Sequence, residues 1–164
     1  MNPSDVTSPN ETVADESMVP AAARDYPPLW ILGMGFAHPQ TRISNEFIEG
    51  LNIGTNAQWI SEKLGIQSRL SSLPLDYISK TRNENPREAA KVATDTPTTL
   101  AQRAVEMALQ RAEIGVEEIG LIIVNCCTPY ATMPLESQRI AEAIGSKALA
   151  YDVFTACPVF ALDM

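Results

Sequence analysis

Hydrophobic positions along the chain follow two kinds of pattern, which alternate from residue 29 to residue 154. Three short apolar runs predict strands, at residues 29–36, 120–126 and 149–154. Between them, apolar residues recur at intervals of three and four, the spacing of one helix face. The run at 120–126 is apolar and β-branched throughout, which is typical of a strand buried on both faces of a parallel sheet. This order of elements predicts an α/β fold with a mostly parallel sheet.

Local boundary signals support the predicted helices. Thr96 followed by Pro97 is a capping residue with proline in the first turn, and an apolar stripe of small residues follows it. Another helix begins near Asn56 and ends at Gly65, with a short extended piece at 66–70 after it. Pro134 can open a further helix, which a glycine ends at position 145.

Two segments lack such periodicity. Residues 1–28 hold five prolines and five acidic residues, which predicts a disordered leader before a domain at 29–164. Residues 71–96 are irregular and mixed in charge, with one turn of helix expected around 75–81. The segment is long for a connection inside a compact domain, so it is either an excursion over a site or a surface insertion.

Charge and cysteine content narrow the functional classes. The net charge of −8 argues against a nucleic-acid partner, which would need a basic surface. No apolar run has the length of a membrane span, and the N-terminus has no secretory pattern, so we expect a cytoplasmic protein without a membrane partner. Three cysteines that include the adjacent pair Cys126 and Cys127 fit neither a disulfide framework nor a metal site.

Gly33 and Gly35 invite comparison with a dinucleotide-binding turn. The third glycine of that motif would have to stand at position 38, where the chain has His38, and no acidic ribose ligand follows at a suitable spacing. The two glycines therefore indicate close approach of the backbone to a neighbouring element.

Cys157 is the candidate nucleophile. It follows the predicted strand at 149–154 and precedes an apolar segment with helical content, which is how a strand-to-helix elbow presents a nucleophile. The N-terminal end of a helix lowers a cysteine pKa and so populates the reactive thiolate. From this segment alone, a buried structural thiol is the competing interpretation.

Four segments together resemble the β-ketoacyl-acyl-carrier-protein synthase III group of the thiolase superfamily. They are Ile-Leu-Gly-Met-Gly-Phe-Ala-His-Pro at 31–39, Thr-Asn-Ala-Gln-Trp-Ile-Ser-Glu-Lys-Leu-Gly-Ile at 55–66, Ile-Gly-Leu-Ile-Ile-Val at 119–124 and Asp-Val-Phe-Thr-Ala-Cys at 152–157. The resemblance runs from about residue 30 to residue 164, apart from most of 71–96. It implies a five-layered αβαβα fold built from two similar halves, of which this chain would be an incomplete first half.

The resemblance also implies roles for five residues. Cys157 matches the cysteine that takes an acyl group, and Trp59 matches a tryptophan that packs on the adenine of coenzyme A. Thr55 matches a coenzyme A contact, and Lys63 matches a basic position near the nucleotide phosphates that is usually arginine. Met133 falls where a residue lining the partner subunit's pocket would sit. From the residues alone, Trp59 is equally an ordinary half-buried aromatic and Lys63 a solvated helix charge.

The activity implied is Claisen condensation of acyl thioesters through an acyl-cysteine, in fatty-acid or polyketide-like biosynthesis. Its partners would be acyl-coenzyme A, acyl carrier protein and a second subunit of a homodimer, with no permanently bound cofactor and no metal. Pro158 and Val159 depart from the small residues that usually follow the cysteine. The family's catalytic histidine and asparagine lie in the second half, so we expect no activity from these 164 residues alone. The alternative is a non-catalytic truncated relative or a partner subunit of a condensing enzyme.

Overall fold

The structure is a computed structural model that describes residues 28–155. The leader predicted at 1–28 lies outside these residues except for Pro28, and so does Cys157. Residues 1–30 and 31–164 are separate units, and all the described helices and strands lie in the second. Its helices and strands are β1 (Thr41–Ser44), α1 (Asn45–Gly50), α2 (Ala57–Trp59), β2 (Ser68–Ser71), α3 (Leu75–Thr81), α4 (Pro86–Val92), α5 (Pro97–Ala112), β3 (Leu121–Val124), α6 (Glu136–Ile144) and β4 (Leu149–Asp152). Among the described helices, none combines the length and apolar character that crossing a membrane requires.

The strands β3 and β4 form a parallel pair, as the sequence predicts. Their register runs from Leu121 opposite Leu149 to Val124 opposite Asp152. One further backbone bond extends the pairing, because the N–H of Val153 donates to the carbonyl of Val124 at 2.8 Å. Helix α6 connects the two strands and packs against both of them and against α5. This strand–helix–strand unit confirms the α/β prediction.

A second, antiparallel pair joins β1 to β2. Thr41 lies opposite Ser71 and Ser44 opposite Ser68. The side chain of the buried Asn45 reinforces the pair by donating to the carbonyl of Ile66 at 2.7 Å. The extended piece predicted at 66–70 is therefore present, shifted to 68–71, but its pairing with residues 41–44 was not predicted.

Four of the predicted helix boundaries form where the sequence places them. The side-chain oxygen of Thr96 accepts from the N–H of Thr99, and Pro97 occupies the first turn of α5. The second predicted helix begins at its cap Asn56, continues from α2 into a π-helical turn at Ile60–Leu64 and ends at Gly65, whose φ is 68°. Gly145, with φ of 72°, ends α6 in the left-handed conformation that favours glycine.

The strand predicted at 29–36 is wrong, because this segment pairs with no strand among the described residues. Its two glycines instead press against the backbone of α5. A Cβ atom on Gly33 would lie 2.3 Å from the carbonyl oxygen of Ala108, and one on Gly35 would lie 1.8 Å from that of Ala104. Arg111 of α5 also donates to the carbonyl of Met34 at 2.7 Å. The close backbone approach predicted for the glycines is confirmed, with a helix as the neighbour.

Residues 71–96 are more regular than predicted. The helical turn expected around 75–81 is α3, but the structure adds a second helix, α4. Its start carries a local signal, since Asn85 caps the N–H groups of Arg87 and Glu88 and Pro86 stands in the first turn. The ends of the segment meet, because the N–H of Thr94 donates to the carbonyl of Ser72 at 2.8 Å. The segment thus consists of two helices whose flanking residues are joined by a backbone hydrogen bond.

Within residues 31–155, β3 and β4 are only partly covered, so burial of β3 on both faces stays a prediction. Leu121 is 47% exposed and Leu149 69% exposed, and no residue of either strand is fully buried. The apolar run suits a strand that is covered on both faces. Within residues 31–155 this strand pairs with β4, and α6 is the helix that contacts it most.

The close approach of residue 35 to α5 gives a test of packing. Gly35→Ala places a methyl group inside the contact distance of a helix carbonyl, so we expect the free energy of unfolding to fall by about 1–3 kcal/mol. Gly120→Ala is the matched control, since no atom lies within 4 Å of the added methyl, and it should change stability by less than about 0.5 kcal/mol. Urea unfolding of both variants measures the difference, and equal stability would contradict the packing.

Candidate functional site

The carboxyl ends of β3 and β4 lie side by side and start the two segments that carry predicted site residues. The segment after β3 leads to Met133, and the segment after β4 leads towards Cys157. In open α/β sheets, ligands bind beyond the carboxyl ends of the strands. The side chains that hold this edge together are therefore the first elements of the candidate site.

Asp152, the last residue of β4, caps helix α6. Its carboxylate accepts hydrogen bonds from the N–H groups of Glu136 at 3.0 Å and Ser137 at 2.8 Å. Leu135, in the capping position of the helix itself, has no side-chain acceptor to offer. The helix takes its cap from the neighbouring strand, where the negative charge also complements the helix dipole.

Glu136 is the largest fully buried side chain of the described residues, with 1% of its surface exposed. One carboxylate oxygen accepts the hydroxyl proton of Thr98 in α5, and the other accepts the N–H of Tyr130 at 3.2 Å. The guanidinium of Arg139 donates to the oxygen of Thr98 at 3.3 Å and lies 4.7 Å from the centre of the Tyr130 ring. A buried carboxylate is costly unless it is hydrogen-bonded, and here the bonds join α5, α6 and the loop after β3.

Met133 stands at the end of that loop and is 70% exposed. The peptide bond between Met133 and Pro134 is cis. Helix α6 begins at Glu136, two residues after the proline, so the predicted start at Pro134 is shifted. An exposed thioether at this edge of the sheet is available to another surface, and nothing among the described residues packs around it tightly.

Thr55 and Trp59 come together at a small pocket of about 230 Å³, lined also by Gly54 and Asn56. Trp59 is 48% exposed, and the hydroxyl oxygen of Thr55 is buried without a hydrogen-bond partner in the described part of the chain. A buried polar atom with no partner is costly and is often explained by a ligand or a water molecule. The pocket thus offers an aromatic face beside an unsatisfied hydroxyl.

Lys63 does not line this pocket. It lies in the π-helical turn Ile60–Leu64, where each turn holds more residues than in an α-helix. A spacing of four therefore does not bring Lys63 back to the face of Trp59. Thr55 in turn precedes the capping residue Asn56, so the three residues do not share one regular helix face.

The excursion at 71–96 borders the loop after β3. An open groove of about 760 Å³ separates residues of α4 and of the start of α5 from Thr128, Pro129 and Tyr130. Residues 71–96 thus form one wall of this groove, and their role, as an excursion over a site or as a surface insertion, stays a prediction.

Sequence reasoning missed Thr98, Glu136 and the capping role of Asp152. The sequence contained part of this information, since Leu135 in the capping position has no side-chain acceptor. The first N–H groups of the helix must then bond to an acceptor from another element. The partner of a borrowed cap, however, depends on which strand lies beside the helix. Within residues 28–155, no group of histidine, cysteine and acidic side chains is arranged to hold a metal ion.

No protein-family profile matches the chain. The β-ketoacyl-[acyl-carrier-protein] synthase III of Alkalilimnicola ehrlichii is 32% identical to it over 133 residues, which are 79% of the chain and 35% of that relative. The structure of 3-oxoacyl-[acyl-carrier-protein] synthase III from Aquifex aeolicus has a TM-score of 0.65 and 26% identity, over 81% of the chain and 37% of that protein.

A priming β-ketosynthase of the R1128 polyketide pathway is also similar, with a TM-score of 0.63 and 25% identity over 81% of the chain and 34% of that protein. The chain thus spans about a third of the length of the curated relatives it matches.

The capping of α6 by Asp152 of β4 gives a prediction. Asp152→Ala removes both hydrogen bonds and the charge at the start of α6, so we expect a loss of about 1–2 kcal/mol in the free energy of unfolding. Asp76→Ala is the matched control, since its exposed ion pair with Lys80 should contribute less than about 0.5 kcal/mol. Chemical denaturation compares the two, and equal losses would mean that the cap has no special role.

Proposed function

Because the chain belongs to the β-ketoacyl-acyl-carrier-protein synthase III-like proteins of the thiolase superfamily, we propose that it supplies the acyl-accepting part of a condensing acyltransferase. The observation that carries the proposal is the pair of parallel strands whose carboxyl ends lead to Met133 on one side and to the Cys157 segment on the other. The reaction proposed is Claisen condensation of two acyl thioesters.

In the first step, the Cys157 thiolate attacks the carbonyl carbon of an acyl thioester. A new carbon–sulfur bond forms, the old one breaks, and the donor leaves as a thiolate that takes up a proton. In the second step, the α-carbon of another thioester loses a proton or carbon dioxide, and the resulting carbanion attacks the carbonyl carbon of the acyl-cysteine. This attack forms the carbon–carbon bond, breaks the carbon–sulfur bond to Cys157 and returns the cysteine thiolate. A cysteine at a helix N-terminus suits both steps, because it is a good nucleophile and a good leaving group.

The resemblance assigns the histidine and asparagine of the second step to a second half that follows the first. We therefore propose that residues 1–164 alone accept an acyl group but do not condense it. The complete protein would act as a homodimer, with Met133 reaching the partner subunit's acyl pocket. Its exposure at the edge of the sheet supports this proposal.

The pocket of Thr55 and Trp59 is the proposed contact for coenzyme A. The half-exposed indole offers a face for stacking of the adenine, and the unpartnered hydroxyl of Thr55 offers a hydrogen bond. Lys63 would reach the nucleotide phosphates from the neighbouring π-helical turn, where it is exposed.

Two pathways are open for the product. The similarity to synthase III proteins supports fatty-acid synthesis, and the comparable similarity to a priming β-ketosynthase supports polyketide synthesis. The groove beside α4, which belongs to the excursion at 71–96, is the feature of this chain in which a difference in acyl chain or carrier could be accommodated.

The role of Cys157 is tested by acylation. We expect the complete protein, incubated with acyl-coenzyme A, to gain one acyl group on Cys157, and Cys157→Ala to abolish this adduct. Cys127→Ala is the control, since this exposed cysteine should be dispensable. Mass spectrometry of peptides locates the adduct. An acyl group on Cys126 or Cys127, with Cys157 free, would overturn the assignment.

The role of Trp59 is tested by binding. Trp59→Ala should weaken coenzyme A binding roughly tenfold, because stacking of a base on an aromatic side chain contributes about 1–3 kcal/mol. Trp30→Ala, which removes another exposed indole, should leave the affinity unchanged. Isothermal titration calorimetry measures both variants. The same affinity in Trp59→Ala as in the wild type would refute the stacking role.

A further inference from the structure

The side chain of Glu136 closes the loop that leads from β3 to α6. Its carboxylate accepts the N–H of Tyr130 at 3.2 Å, six residues earlier in the chain. The other end of this loop is Glu136 itself, whose N–H donates to Asp152 of β4 at 3.0 Å. Met133 lies midway between the two attachment points and is 70% exposed. Glu136 therefore joins the two ends of the segment that presents Met133.

The hydrogen bonds around Glu136 have only one possible direction. The guanidinium of Arg139 can only donate, so the hydroxyl oxygen of Thr98 accepts from it at 3.3 Å. The hydroxyl proton of Thr98 then goes to one carboxylate oxygen of Glu136, and the other oxygen accepts from Tyr130. Arg139 also lies 4.7 Å from the centre of the Tyr130 ring. The backbone and the ring of Tyr130 are thus both held by side chains of α6.

Capping of α6 does not explain why a carboxylate is buried here. The first N–H groups of the helix bond to Asp152. The side chain of Glu136 reaches Thr98 and Tyr130 instead. It is 1% exposed, and no ion pair within residues 28–155 includes it. Burial of a carboxylate without an ion pair is costly, and apolar residues of similar volume are often at least as stable in buried charged positions. The glutamate is therefore better explained by the loop that it holds than by stability.

We propose that Glu136 is a positioning residue, which holds Met133 in place at the edge of the sheet and thereby sets the length of acyl chain that the enzyme accepts. A loop closed at both ends has fewer conformations than a loop attached at one end, so Met133 is presented in a narrow range of positions. A side chain that lines a pocket discriminates between ligands only when it is held in place. The inference deepens the proposed function, since it rests on Met133 as a contact to the partner subunit's acyl pocket.

Three substitutions separate this role from a general loss of stability. Glu136→Met keeps the length of the side chain and removes both acceptor oxygens, so it releases Tyr130. Glu136→Gln keeps one acceptor for the N–H of Tyr130, and its NH2 group can donate to the hydroxyl oxygen of Thr98, so the loop should stay closed. Thr98→Val removes the other bond of Glu136 and leaves the bond to Tyr130, which makes it the matched control for damage to the buried network.

The test is the rate of Cys157 acylation in the complete protein, measured with acyl-coenzyme A substrates of increasing chain length. We expect the wild type to prefer a narrow range of lengths and Glu136→Met to reduce this preference about tenfold, the effect of one misfitted methylene group in a hydrophobic pocket. Glu136→Gln and Thr98→Val should keep the preference of the wild type.

Amide hydrogen exchange of the peptide that contains Tyr130 measures the closure of the loop directly. We expect the Tyr130 N–H to exchange about five- to tenfold faster in Glu136→Met than in the wild type, as for the loss of one hydrogen bond. In Glu136→Gln and Thr98→Val, the exchange of this N–H should stay close to that of the wild type.

An unchanged chain-length preference in a folded Glu136→Met, or an equal loss of preference in Thr98→Val, overturns the inference. If Glu136→Met does not fold, Glu136→Ala, which removes the carboxylate without adding a thioether, decides the same question. The two proposals fail separately. If the complete protein does not acylate Cys157, the proposed function is wrong, and the exchange of the Tyr130 N–H still decides whether Glu136 holds the loop. If Met133→Ala alters the preference and Glu136→Met does not, only the positioning role is wrong.

Discussion

The carboxylate of Asp152 at the start of α6 is the interaction on which the rest of the described site depends. Helix α6 cannot cap itself, because its capping position holds Leu135. The cap comes from the end of β4, so the helix forms in its native place only when the strand lies beside it. The formation of α6 therefore depends on the formation of the parallel β3–β4 pair. The helix and the edge of the sheet are expected to form together.

Glu136 links the start of α6 to α5 and to the loop after β3, in addition to β4. Its N–H is held by β4, while its carboxylate holds Thr98 of α5 and the N–H of Tyr130. A fully connected buried polar network is rigid, because breaking any one bond leaves a buried group unpaired. The loop that ends at Met133 is therefore anchored at Tyr130, although most of its side chains face solvent. Rigid support under exposed side chains is the arrangement that a binding or catalytic edge requires.

Most features that could be predicted are set by neighbouring residues, whereas features set by distant residues were missed. The start of α5 at Thr96 and Pro97 follows from a few adjacent residues and is confirmed, whereas α4 was missed even though Asn85 supplied a comparable signal. The strand predicted at 29–36 failed because a strand is defined by its partner, and among the described residues this segment lies on a helix. The role of Asp152 also required knowing which strand lies next to α6.

The hydrogen bond between Thr94 and Ser72 has a consequence for how this chain can vary in length. Because Ser72 and Thr94 are joined by this bond, the residues between them form a closed loop. The length of that loop should have little effect on the stability of the rest of the fold. The entropic cost of closing a loop rises only with the logarithm of its length, by about 0.6 kcal/mol for each doubling. Helices α3 and α4 could thus be lengthened, shortened or exchanged with little effect on the β3–β4 edge, which lets one wall of the neighbouring groove diversify independently of the other.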